Sequence, residues 1–298
     1  MPIRLMENFR AVLYAPYYAT HALGFYRNEG VEVELMASDT PGNAVAKLVD
    51  RTIDLTWGGP MRVMKAHDED RDSPLVNFCE VVSRDPFFLI GKYKASTFHL
   101  ADLADTRFAS VSEVPTPWMC LQQDLRDKGI EPNKLLRVSD RTMAHNYEAL
   151  IAGDIDVMQA FEPFISMAEK NSTGEVLYTA SARGPTAYTA FIATREACAK
   201  HFEEFAAMMR ATVKMLSWVF ANPSEELAKA VSEFFPKIPT DILIRSLRRY
   251  RNAVLWSRET RMLRPGFTQL ARSLYSGGFI MRVPSYEECV ELNLNEIG

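Results

Sequence analysis

Two stretches in different halves of the chain repeat one pattern: "KLVDRTIDLTWGGP" and "ALIAGDIDVMQAFEP". Each carries an apolar pair, a two-residue turn, Ile-Asp, an apolar strand and then proline. Leu48 corresponds to Leu150, Ile53 to Ile155 and Asp54 to Asp156. Around the first copy, "IRLME", "VEVELMAS", "TIDLTW", "LVNFCEVV" and "FFLIGKY" read as strands. They are interleaved with the helix-like "YYATHALGFYRNEG", "TPGNAVAKLVDR" and "PMRVMKAHDED". The rhythm restarts with "RFASV", "TPWMCLQQDLRDKGI", "KLLRVS", "AHNYEALIAGD" and "IDVMQAF". Such β-α-β-α order favours mostly parallel sheets covered by helices. The echo points to two similar α/β lobes, each with its binding edge at the C-terminal ends of its strands. From about Glu196 the chain reads mainly helical, with amphipathic runs such as "FEEFAAMMRATVKMLSWVF".

Composition narrows the function classes. A chain of 298 residues can bury a large core as one domain or two. A net charge of −4 argues against a general nucleic-acid binder, which shows a basic face. No apolar run approaches the ~20 residues of a membrane span. "MPIRLMENFR" lacks the basic and apolar regions of an export signal, so the sequence as it stands reads as cytoplasmic. A periplasmic location is the alternative if such a signal was removed. Cys79, Cys120, Cys198 and Cys289 form no CxxC and are expected as buried free thiols. The five histidines are scattered, and no H-E-x-x-H, P-loop, G-x-G-x-x-G or G-x-S-x-G occurs. No metal or cofactor is expected.

"DLTWGGPMRV" (54–63) reads locally as strand, bare backbone and helix start. Glycines let a ligand approach the backbone, and proline suits the first helical turn. A tight connection alone would need the same residues. With "APYYATHALGFYRNEGVEVEL", "KLVDRTIDLTWGG", "ALIAGDIDVMQAFEP" and the tail "RPGFTQLARSLYSGGFIMRVPSYEECV", most of the chain resembles the type II periplasmic-binding-protein fold. Within it, the chain is similar to the nitrate/sulfonate/taurine and thiamine-pyrimidine-precursor substrate-binding family of ABC transporters. The resemblance implies an α/β protein of two lobes, each a mostly parallel sheet flanked by helices, with a ligand cleft between. The first lobe would take residues 1–93 and 189–298, the second residues 94–188, with the chain crossing a hinge twice.

The resemblance also implies site residues. Gly58 and Gly59 would line the cleft floor, with Thr40, Pro41 and Gly42 at the equivalent corner after the previous strand. Tyr14, Tyr17 and Tyr18 would offer faces to a flat heterocycle, although helix packing also explains one or two of them. Trp57 leans to the core, and Trp118 follows Pro115-Thr116-Pro117 on a loop that could cap the site. Glu162, in "AFEPF", would pair with ring and amino nitrogens; the alternative is a solvated acid at a helix N-terminus. Arg84 and Asp85 fall near the hinge and could hydrogen-bond a ligand. Arg183 could clamp an anionic group, against the commoner outcome of an exposed arginine. Lys65 and His67 are expected to face solvent. The seven arginines of "RSLRRYRNAVLWSRETRMLR" are expected on a solvated helix face.

The leading functional expectation is a binding protein for a small solute, either a pyrimidine-precursor-like heterocycle or a sulfonate/nitrate-type anion. Its implied partner is an ABC permease, and its expected state is a monomer. The runner-up is an enzyme on the same scaffold, pyrimidine-precursor synthase-like or decarboxylase-like. Fungal synthases resembling this family carry a cysteine-rich run and a Lys/His pair where this chain reads "WGGPMRV", which departs from that pattern. A sensory domain that signals ligand by closing is a third possibility.

Overall fold

The computed structural model describes residues 1–38 and 42–297. Among the described residues, ten strands form two five-stranded sheets. In chain order they are β1 (Ile3–Met6), β2 (Val33–Met36), β3 (Leu55–Gly58), β4 (Leu75–Val82), β5 (Phe88–Gly91), β6 (Phe108–Ala109), β7 (Arg137–Val138), β8 (Val157–Ala160), β9 (Glu175–Thr179) and β10 (Thr189–Thr194). The sheet orders are β2-β1-β3-β10-β4 and β7-β6-β8-β5-β9. β1 runs parallel to β2 and β3, as β6 does to β7 and β8. Each sheet holds one antiparallel strand in its fourth place: β10 against β3 and β4, and β5 against β8 and β9. The two sheets thus share one topology, and helices flank both.

The chain changes sheets at 83–87 and returns at 180–188. The first crossing comes earlier than the expected boundary near Tyr93, because β5 pairs with β8 and β9 rather than ending the first sheet. Two other expectations shift for local reasons. The helix expected over 17–30 breaks at Gly24 (φ 73°) into Ala15–Ala22 and Phe25–Asn28. β9 was not among the strand-like segments, since it is at best half-buried and shows no clean alternation.

The sequence echo has a structural cause. Arg4 Nε and Nη2 donate to the two oxygens of Asp54 at 3.0 and 2.8 Å, while the Arg4 backbone N–H donates to the same carboxylate at 3.0 Å. Arg107 repeats this on Asp156, at 2.9, 2.6 and 2.8 Å. In both lobes the turn carboxylate before the third strand is tied to the start of the first, and the apolar partners Leu48, Leu150, Ile53 and Ile155 are buried.

A buried ion network closes the hinge. Arg183 Nη1 donates to Asp85 at 3.0 Å, Arg183 Nε to Asp124 at 2.7 Å, and Nη2 also reaches Asp124. Tyr178 donates to the same Asp124 carboxylate at 2.8 Å. Arg84 donates to the Ser181 carbonyl at 3.1 Å across the two crossings. Helices from the C-terminal third brace the second lobe: Arg272 pairs with Asp127 and Lys170 with Asp241, each at 2.6 Å. The expectation of a solvated arginine face holds for Arg245 and Arg248, which are exposed. It fails for Arg249, which pairs with Glu162 and Glu169, and for Arg251, which caps the carbonyls of Phe220 and Asn222. His67 is buried rather than solvent-facing, with Nε2 2.9 Å from the Leu75 carbonyl, and Lys65 pairs with Asp68. All four cysteines are free and buried.

Glu80 is an anomaly in β4: buried, with Oε1 lacking a hydrogen-bond partner among the described residues, and burial pushes its carboxyl well above the usual range. The folded protein therefore holds a proton that the unfolded chain releases near pH 4.3, the ordinary Glu value being about that. Stability contributed by this proton is full below that pH and falls as pH rises toward the folded value. Glu80→Gln is expected to be nearly neutral at pH 4 and increasingly stabilising as the pH is raised above it. Urea unfolding at pH 4 and above checks this; a stabilisation independent of pH would contradict it.

Candidate functional site

The C-terminal ends of β1, β3 and β8 and the two hinge segments converge between the lobes. There they bound two neighbouring cavities. The inner one, of about 30 Å³, is lined from the first lobe by Asn8, Tyr14, Gly59 and Arg62 and from the second by Pro115 and Thr116. Phe87 and Tyr188 of the two crossings line it as well. The outer one, of about 270 Å³, is lined by Arg10, Val12, Glu113, Met143, Glu162 and Phe164, among others. Phe9, Val114 and Phe161 belong to both. Phe9 follows β1 and Phe161 follows β8, so one ring comes from each lobe. Their centroids lie 6.5 Å apart with planes 25° from parallel. Tyr14 packs edge-on to Phe9, and Phe87 edge-on to Phe161.

The charges lining these cavities differ in how they are satisfied. Arg10 donates to Glu7 at 2.9 and 3.2 Å, and Tyr18 adds its hydroxyl to the same carboxylate at 2.5 Å. Glu113 accepts from the Met143 backbone N–H at 2.8 Å. Glu162 borders the outer cavity, but its carboxylate is occupied: by the Ser166 N–H and hydroxyl at 2.9 and 2.8 Å, Ser246 at 3.2 Å and Arg249 at 2.7 Å. Burial, partly offset by these donors, raises its pKa. Arg62 has no side-chain hydrogen bond and no ion pair among the described residues; burial lowers its pKa. Burial also pushes the Tyr14 hydroxyl up to about 12, so it remains a neutral donor. The Tyr188 hydroxyl is buried without a hydrogen-bond partner among the described residues.

The model of the family described as NMT1/THI5 like matches residues 12–226, well over half of the sequence. The chain belongs to this NMT1/THI5-like family. A relative in Bacillus subtilis (strain 168), named putative binding protein YtlA, is 22% identical over 251 residues, 84% of this chain and 75% of that one. Among solved structures, the periplasmic aliphatic sulphonate binding protein SsuA of Escherichia coli superposes with a TM-score of 0.79 at 14% identity, covering 99% of both chains. A ligand-binding component of an ABC-type import system from Staphylococcus aureus gives 0.77 at 16% identity over 99% and 98%. The nitrate-binding NrtA of Synechocystis PCC 6803 gives 0.72 at 15% over 99% and 88%. At these identities the likeness is one of fold, the two-lobed periplasmic-binding-protein architecture.

In this NMT1/THI5-like chain the residues singled out from sequence divide. Tyr14 and Gly59 line the inner cavity and Glu162 the outer one. Gly42 joins them at one remove. Its N–H donates to Asn8 at 3.1 Å, its φ is 90°, and a Cβ there would stand 2.7 Å from Arg62 Nη1. Thr40 and Pro41 lie outside the described residues. Tyr17 is buried, stacked on Trp57 at 4.9 Å, and Tyr18 is turned to Glu7, so both serve packing. Gly58 ends β3 with its Cβ direction filled by Ile192. Trp118 faces the second lobe's core against Phe108 with Arg137 over its ring, because helix Thr116–Asp127 turns that position inward. Arg84 and Arg183 are held in the hinge, so Arg183 is neither exposed nor free to clamp a ligand.

Sequence reasoning missed Asn8, Phe9, Arg62, Phe87, Phe161 and Tyr188. Phe9 and Phe161 were within reach: each lies just after a strand that the echo or the alternation had located. Arg62 lies inside "GGPMRV", where the local pattern does not distinguish it from an exposed helical arginine.

Proposed function

We propose that the protein is the substrate-binding component of a solute-import system, holding one small molecule between its lobes. The observation that carries this reading is the pair Phe9 and Phe161, one from each lobe, at the junction of two cavities on the strand C-terminal edges. A flat solute gripped by both rings would bind only when the lobes are together, so ligand and closure favour each other. The names of the fold neighbours, for sulphonate, nitrate and an ABC-type import ligand, support transport, with an ABC permease as partner. Those described as periplasmic favour that location over the cytoplasmic one. The ligand classes expected from sequence, a pyrimidine-type heterocycle and a sulfonate- or nitrate-type anion, are the ones to test.

A thermal-shift panel of hydroxymethylpyrimidines, alkanesulfonates, nitrate and aromatic carboxylates, followed by calorimetry, is the experiment. At least one class should raise Tm. Phe161→Ala should weaken that ligand about ten-fold, as expected for loss of roughly 1.4 kcal/mol of aromatic contact. Binding unchanged by Phe161→Ala, or no response to any class, would overturn the proposal.

A further inference from the structure

We infer that Arg62 is the counter-ion for the ligand, and that the cleft selects a flat, largely apolar solute bearing one anionic group. Resting on the solute-binding reading above, this names the substrate class of the same site. Two arginines line the cavities. Arg10 is spoken for by Glu7, whereas the Arg62 guanidinium has neither carboxylate nor carbonyl against it among the described residues. The half-buried Arg62 guanidinium carries five donors and keeps its charge, so an anion entering the cavity would meet them with no competing carboxylate. No described acid lines the inner cavity with it, and the two acids of the outer cavity are engaged by Met143, Ser166, Ser246 and Arg249.

Three neighbours suit a negative head group at Arg62. Helices Met61–Glu69 and Thr116–Asp127, one from each lobe, begin at residues lining the inner cavity, and helix N-termini favour negative charge. Tyr188, 8% exposed, lines the same space with a hydroxyl that has no hydrogen-bond partner among the described residues. Gly42 leaves Arg62 its room, since a Cβ there would collide with the guanidinium.

Size and lining then fix the rest of the solute. The inner cavity, near 30 Å³ against about 270 Å³ for the outer one, suits a compact head group rather than the body of a solute. The outer 270 Å³ is walled by Val12, Val114, Met143, Phe161, Phe164 and Ile238, which suits an apolar body. The junction between the two is the Phe9–Phe161 pair. A neutral heterocycle would leave Arg62 unpaired, and a bare inorganic anion would leave the outer chamber unfilled.

The test uses benzoate and benzenesulfonate as probes, with benzamide as the uncharged match and nitrate as the anion without a body. Calorimetry and thermal shift on the full chain should show the aromatic anions binding at least ten-fold more tightly than benzamide or nitrate. Arg62→Met should lower the aromatic anions ten-fold or more and leave benzamide unchanged. Arg62→Lys should recover part of the loss, and Gly42→Ala, which displaces the guanidinium, should mimic it. Failure of both aromatic anions to bind the wild type, benzamide binding as tightly as benzoate, or Arg62→Met leaving benzoate unaffected would each overturn the inference. Benzamide binding that Phe161→Ala abolishes would sink it while sparing the solute-binding reading; probe binding indifferent to Phe161→Ala would sink the latter instead.

Discussion

Arg183→Met is expected to destabilise the protein by about 3–5 kcal/mol, the loss typical of breaking a buried ion pair from one side. The Arg183 side chain is 6% exposed, and the two acids it neutralises are almost fully buried, Asp85 at 0% and Asp124 at 8%. Burial raises the Asp85 carboxyl even with Arg183 beside it. Without the arginine, two carboxylates would face each other at the hinge with only Tyr178 and the Phe87 N–H to solvate them. Adding Asp124→Asn to Arg183→Met should restore part of the loss, since one of the uncompensated charges is then removed. Equilibrium urea unfolding measures both; a cost below 1 kcal/mol for the single variant would mean that water reaches the network and solvates it.

Glu162→Ala should also act on stability before affinity, costing about 2–4 kcal/mol. Four donors converge on this carboxylate, and its removal orphans the Ser166 N–H and leaves Arg249 with Glu169 alone. Arg249 is one-quarter exposed, so the penalty falls below that of a fully buried pair. Affinity of the folded variant for a solute, measured by calorimetry, should change less than three-fold. A large affinity loss with unchanged stability would instead mean that Glu162 turns toward the ligand, as its place in "AFEPF" first indicated.

These two residues also show where the sequence was legible and where it was not. Strand and helix order could be read from hydrophobic period, because β3, β4 and β8 are buried along their whole length and the helices are amphipathic. The echo was readable because both lobes use one local device, an aspartate before the third strand tied to the arginine of the first. Local pattern therefore located the strand ends, and with them the cleft edge where Tyr14, Gly59 and Glu162 stand. What it could not supply was which charges are already paired. Arg183 meets Asp85 and Asp124 across separations of 98 and 59 residues, and Glu162 meets Arg249 across 87. Such distant pairings leave no periodic trace. Arg62 lines the inner cavity with no side-chain hydrogen bond or ion pair among the described residues, and only the fold reveals it. Tyr17 and Trp118 erred the other way, since an aromatic at a helix start can turn to the core or to the cleft with the same neighbours in sequence.

The most direct measurement is native mass spectrometry of the protein incubated with a metabolite extract, beside the Phe9→Ala/Phe161→Ala variant. The account predicts one small adduct per chain in the wild type, released unchanged on denaturation, acidic and aromatic or similarly flat, and absent from the double variant. An adduct retained equally by the double variant, a solute released chemically altered, or no adduct from any extract fraction would contradict it.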